Sequence, residues 1–359
     1  MIILTAIPAF LLAFGIICAK NDRRLLFCAA AAVCVFAVCG LTSLAGFVGA
    51  DADKLPLISS LAGQVSFEDL GIMNAPPGYL IIIRICAALG AESFTAPFIL
   101  SCIQTLLAAH ALYTRCSSPY SGAAILTFCF LPVYFAGSSV FTAALICLNA
   151  SVYVRERRFF RYAALILTAA CFDMSALLLL PLYFVTLIPN IWISAAVSAA
   201  IAALGAVFTK AADAVYGFFG EGLYTSAQST VACAVIAIIA SVLCILMFGM
   251  FKNRNGHYEN LVPVLASGAA FSLASVFDGR FFAVSLMLLM QSAVVLAPEA
   301  EEIAGRFLEI VFPKYKMTSR ILFNFVCLAA VVGICVYLVY GDVFGSGSYE
   351  AALKAGLGI

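Results

Sequence analysis

Apolar runs of about 17–25 residues, the length that a hydrocarbon core of about 30 Å demands, follow one another along the chain with only short polar interruptions. Residues 2–18, 25–49, 98–114, 121–137, 139–154, 191–209, 229–251, 260–277, 281–297 and 321–341 each read as one such helix. Two stretches break the pattern. Gly78–Gly90 is too short for a comfortable crossing and carries Arg84. Residues 162–188 are interrupted by Asp173 and then Pro181, which predicts two half-helices meeting near Asp173. The expected fold is all-α: a polytopic transmembrane helical bundle of about 10–12 segments, one or two of them short or broken, forming one integral membrane domain over 1–359. No repeat of fixed period is evident.

Charge gives this pattern a direction. Only 10% of the residues are charged, and 13 of the 19 Lys and Arg fall into four clusters. These are Lys20/Arg23/Arg24, Arg155/Arg157/Arg158/Arg161, Lys252/Arg254 and Arg306/Lys314/Lys316/Arg320. Clusters between apolar runs mark cytoplasmic loops. Residues 50–76 and 210–228 then become extracytoplasmic loops, 299–320 a cytoplasmic amphipathic segment, and both termini extracytoplasmic. One count stays open. Five helical segments fit between Arg24 and Arg155, where an even number of crossings is required. Either one of them, Gly78–Gly90 foremost, is re-entrant or tilted, or 121–154 is a single broken span.

The composition, 65% hydrophobic, lies outside the soluble range, and basic residues placed where topology needs them give no nucleic-acid stripe. The 14 cysteines sit mostly singly inside apolar runs, and His110 and His257 are the only histidines. A metal or haem site is not expected, nor is any cofactor.

Candidate chemistry gathers on the outer side. Asp51 and Asp53 end a helix at the surface, ahead of the Pro76-Pro77-Gly78 turn; a carboxylate there can deprotonate a sugar hydroxyl or hold a metal-bound phosphate, or be an ordinary polar helix end. Arg84 inside an apolar run costs about 2.5–3.5 kcal/mol on insertion scales unless it faces a polar cavity or snorkels, and suits an anionic group. Glu92, about 12 Å away along a helix, is a poor direct partner. Arg280 beside Asp278 presents a planar fork to a phosphate or to lipid headgroups. Asp173 is an intramembrane acid and equally a good helix N-cap. Glu221 and Tyr224 lie in an aromatic outer loop that suits sugar stacking or interfacial anchoring.

The acidic first outer loop, the Pro-Pro-Gly lead-in and the run from Tyr153 through Phe172-Asp173-Met174-Ser175-Ala176-Leu177 to Pro181 and Tyr183 resemble the EpsG branch of Wzy-like polysaccharide polymerases. Asp278-Gly279-Arg280 with Pro298 resembles that family's outer arginine and proline-ended helix. Two positions depart from the pattern: Asp173 stands where the family usually has histidine, and Phe141-Thr142 where it has Arg-Gln. The resemblance implies a polymerase or glycosyltransferase in the bacterial cytoplasmic membrane, acting at its outer face on undecaprenyl-diphosphate-linked oligosaccharides, alongside other polysaccharide-assembly membrane proteins. Asp51, Asp53 and Asp173 are then the catalytic candidates; Arg84, Glu221, Tyr224, Asp278 and Arg280 are the substrate-binding ones. Pro-Pro-Gly after an acidic loop is also similar to GT-C glycosyltransferases, which implies a lipid-monophosphate sugar and Mg or Mn held by Asp51 or Asp53. A transporter or flippase of lipid-linked glycan is the non-enzymatic alternative. Asp51, Asp53, Glu221, Asp278 and Arg280 are expected to converge on one extracytoplasmic cavity.

Overall fold

The structure is a computed structural model that describes residue 14, residues 24–44, 76–90, 95–114, 138–188, 190, 193–194, 196–198, 200–201, 204, 261–277, 281, 283–292 and 294–295, with side chains except at 35, 37–44, 97, 138, 262, 276 and 277. All the elements it contains are helical: α1 (Arg24–Leu44), α2 (Pro77–Ala88), α3 (Thr95–Thr114), α4 (Ser138–Arg155), α5 (Phe159–Ala170), a 3-10 turn (Met174–Leu178), α6 (Leu179–Val185) and α7 (Val262–Phe277), with further helical stretches in 193–204 and 281–295. The all-α expectation is met. Among the described residues no helix is long and apolar enough to cross a membrane.

The chain divides into two compact units, one of Met1–Val48, Ser101–Leu131 and Ala293–Ile359, the other of Gly49–Leu100 and Pro132–Ser292. In the first, the Arg24 guanidinium donates to the Tyr113 carbonyl at 2.8 Å and lies 5.6 Å from the centre of the Tyr113 ring. A cation on the last carbonyls of a helix satisfies groups that no longer have partners within it. The start of α1 therefore holds the end of α3.

The second unit is built around α4. Its residues 139–152 are all buried, which a helix attains only at the centre of a bundle. α5 packs along it, and the turn between them is tight. Arg157 takes a left-handed backbone with φ 56°, the Arg158 N–H donates to the Tyr153 carbonyl at 2.9 Å, and the Arg157 N–H donates to the Val154 carbonyl at 3.2 Å. That paired closure is the Schellman ending of a helix, at a position that glycine usually occupies. α5 then rises about 18 Å, the chain reverses at 171–173, and the 3-10 turn and α6 descend about 20 Å. Aromatic rings close the base of this hairpin: Phe159 lies 5.2 Å from Tyr183 and 5.1 Å from Phe184, and Tyr162 lies 5.1 Å from Tyr183. Such pairs contribute about 0.5–1.5 kcal/mol each beyond their buried area. The half-helices expected around Asp173 are present, with α5 starting at Phe159 because the basic turn takes only three residues, 156–158.

Small polar side chains join the remaining helices. Ser198 and Ser267 share a hydrogen bond of 2.7 Å, Ser272 bonds Ser285, and the Ser285 hydroxyl donates to the Gly268 carbonyl at 3.2 Å. A Cβ on Gly268 would sit 3.0 Å from Leu289, so glycine sets the close approach of α7 to the helix at 281–292. Among the described cysteines, Cys28, Cys34, Cys86 and Cys147 are buried free thiols, as expected of small core residues.

A left-handed backbone costs a residue with a Cβ about 1–2 kcal/mol. Arg157→Gly is therefore expected to raise the unfolding temperature of the purified protein in detergent by a few degrees, read by differential scanning fluorimetry. A fall would show that the Arg157 side chain holds the turn.

Candidate functional site

Two of the features singled out in the sequence meet at the tip of the α5–α6 hairpin. Proline cannot donate a hydrogen bond and is pre-set for the first helical turn, so Pro76-Pro77 starts α2 where the chain arrives. The Gly78 N–H donates to the Cys171 carbonyl at 2.7 Å. A Cβ on Gly78 would lie 3.1 Å from that same carbonyl oxygen and 3.1 Å from the Phe172 ring, closer than side chains normally come. Glycine admits this approach without displacing the carbonyl or the ring. The Tyr79 and Leu80 N–H groups both turn back to the Pro76 carbonyl at 3.0 Å, so the first turn of α2 is satisfied by its own neighbourhood.

Asp173 follows directly. Its backbone is extended, and its Oδ1 accepts from the Ser175 N–H at 2.8 Å and from the Ser175 hydroxyl. It is thus the N-cap of the 3-10 turn, the ordinary role foreseen for it, and it is only half-buried. Capping and chemistry are compatible here, since an ionised carboxylate has two oxygens and about four acceptor sites. Cys147 of α4 lies below, within electrostatic reach of Asp173.

Beneath the hairpin is a buried polar layer that no motif indicated. Tyr162 is 2% exposed, and its hydroxyl donates to the Leu179 carbonyl at 3.3 Å. Gln291, 0% exposed, lies beside it, and the two side chains interact. The signal for Gln291 in the sequence was the one that marked Asp173 and Arg84: a single polar residue inside an apolar run, here Leu288-Leu-Met-Gln291.

Arg84 lies six residues beyond Gly78, about 9 Å along α2. It is half-buried, on the border between the inward face of Tyr79, Ile83 and Cys86 and the outward face of Ile81 and Ile85. Phe141 and Thr142, both 0% exposed, occupy the first turn of α4. The arginine and glutamine expected from the resemblance are replaced there by core packing. Asp51, Asp53, Glu221, Tyr224, Asp278 and Arg280 lie outside the described residues, and so does their convergence on one cavity. Among the described residues no group of His, Cys, Asp and Glu could hold a metal ion.

With this geometry in hand, comparison with known proteins gives one result that covers most of the chain. Residues 32–349 match the EpsG family, and the chain belongs to that family, one linked to exopolysaccharide synthesis. No curated protein and no solved structure matches.

The Gly78 contact yields a direct test. Because the atom facing an added Cβ is a backbone carbonyl rather than the end of a flexible side chain, Gly78→Ala should cost about 1–3 kcal/mol, the range for overpacking a tight contact. Thermal unfolding in detergent reads it out; an unchanged midpoint would mean that the hairpin tip yields freely.

Proposed function

We propose that the protein is a membrane-embedded EpsG-type polymerase that joins polyprenyl-diphosphate-linked oligosaccharides at the extracytoplasmic face. Two observations support its embedding in lipid. The described interior is rich in serine: Ser101, Ser139, Ser151, Ser194, Ser198, Ser267, Ser272 and Ser285 are all buried. The described exterior is apolar, with Leu25 73%, Leu89 78%, Leu106 70% and Phe160 86% exposed. Small polar residues inside and hydrocarbon outside is the polarity of helices packed in a bilayer. The basic turn at 155–161 puts the hairpin base on the cytoplasmic side, so Asp173 rides about 18 Å up, in the outer half of a core of about 30 Å. α2, of 12 residues and about 18 Å, is then the segment that does not cross, and α1 with α3 supplies the first pair of crossings.

The meeting of the Asp173 turn with the Pro-Pro-Gly turn carries the catalytic reading, because it joins a carboxylate to the end of the acidic outer loop. In the proposed reaction a hydroxyl of one lipid-linked glycan attacks the anomeric carbon of another. A new glycosidic bond forms, the bond from that carbon to the diphosphate breaks, and the hydroxyl proton passes to a carboxylate among Asp51, Asp53 and Asp173. Arg84 and Arg280 stabilise the charge that grows on the departing diphosphate, and Glu221, Tyr224 and Asp278 contact sugar. Asn caps helices as well as Asp but takes no proton. Asp173→Asn should therefore leave the unfolding temperature near that of the parent while lowering polymer formation by about 100-fold or more, the scale of one general base. Polymer of parental length and yield from Asp173→Asn in a strain lacking the chromosomal copy would falsify the role of Asp173.

A second reading, transport of a lipid-linked glycan, draws on the re-entrant hairpin, since broken helices with a polar tip also build midplane substrate sites. Protein reconstituted in liposomes with fluorescent lipid-linked glycan separates the two. The polymerase reading expects lengthened glycan; movement across the bilayer with glycan length unchanged would favour the transporter.

A further inference from the structure

The structure assigns a binding site for anionic phospholipid headgroups to the turn between α4 and α5, formed by Arg157, Arg158 and Arg161 with Phe160. This rests on the membrane reading given above and goes beyond the use of basic residues to set topology. Four observations carry it. First, the turn holds four arginines against one acid, Glu156, within seven residues, a net charge suited to lipid phosphate. Second, Arg157, Arg158 and Arg161 are all exposed, and the one acid of the turn is engaged weakly: Arg158 meets Glu156 at 3.3 Å with both side chains open to solvent. Third, Phe160, at 86% exposure, projects from the same turn, and Ala164, Leu167 and Cys171 continue its line up the outward face of α5. A phosphate held by the arginines would thus lie at the foot of an apolar stripe that acyl chains can follow. Fourth, Arg157 occupies the left-handed ending of α4, where glycine would fit without strain. Strain of this kind persists where the side chain it retains has a use. A guanidinium fork is matched to phosphate oxygens, and each basic residue at an anionic surface adds attraction.

The test uses the full-length protein in nanodiscs of phosphatidylcholine alone or mixed equally with phosphatidylglycerol. After release from the discs, the ratio of the two lipids still bound is measured by native mass spectrometry. The parent should retain phosphatidylglycerol preferentially. Arg161→Gln should lower that preference about fivefold, from about 1 kcal/mol per basic residue near the surface. Arg157→Gly should lower it similarly while raising the unfolding temperature in phosphatidylcholine discs, which separates lipid binding from folding. Unchanged preference in Arg157→Gly/Arg158→Gln/Arg161→Gln overturns the site. So does displacement of the lipid by inorganic phosphate at the same molar concentration, which would show a soluble-anion site instead of a lipid surface. Failure of the parent to enter either kind of disc removes the membrane reading, and the inference with it.

Discussion

One hydrogen bond, from the Gly78 N–H to the Cys171 carbonyl, positions most of what matters in the second unit. Without a Cβ at residue 78 the start of α2 reaches the backbone of the hairpin tip; with one it would meet a carbonyl oxygen and the Phe172 ring. The contact fixes Asp173 from one side while the Ser175 cap fixes it from the other. Below, aromatic packing of Phe159 and Tyr162 against Tyr183 and Phe184 keeps the two arms of the hairpin together. The tip is therefore held by backbone bonds and the base by rings, a division that leaves the carboxylate at the better-determined end.

The helices were legible because their signal is long and repeated. Runs read as 98–114, 139–154 and 260–277 are found as Thr95–Thr114, Ser138–Arg155 and Val262–Phe277, with only their ends displaced. Asp173 and Pro181 marked the broken hairpin because each interrupts an apolar run with a residue that changes the local backbone. The short Gly78–Gly90 segment likewise stands as α2, of 12 residues.

What was not legible depended on distance in the sequence. Nothing in Pro76-Pro77-Gly78 says that its glycine will face Cys171, 93 residues later, because close backbone approach leaves no compositional trace. The pairing of Ser198 with Ser267, and of Ser272 with Ser285, escaped notice for the same reason: serines are frequent in apolar helices, and only packing tells which of them face one another. Gln291 was visible as a polar residue in an apolar run, yet its place beside the Tyr162 hydroxyl is a property of the folded core. Of the eight candidate site residues, Arg84 and Asp173 fall among the described residues, and they share the unit that holds the hairpin tip.

The α5–α6 hairpin also constrains how such a protein is made. Each arm spans about 18–20 Å, too short for either to cross a hydrocarbon core of about 30 Å by itself. The surface that receives the hairpin is α4, already complete in the chain that precedes it. The order of the chain thus supplies the surface first: α4 is made before the hairpin that packs along it. The turn that begins α2 is likewise made before the Asp173 tip that it meets, so both surfaces against which the tip packs precede it in the chain.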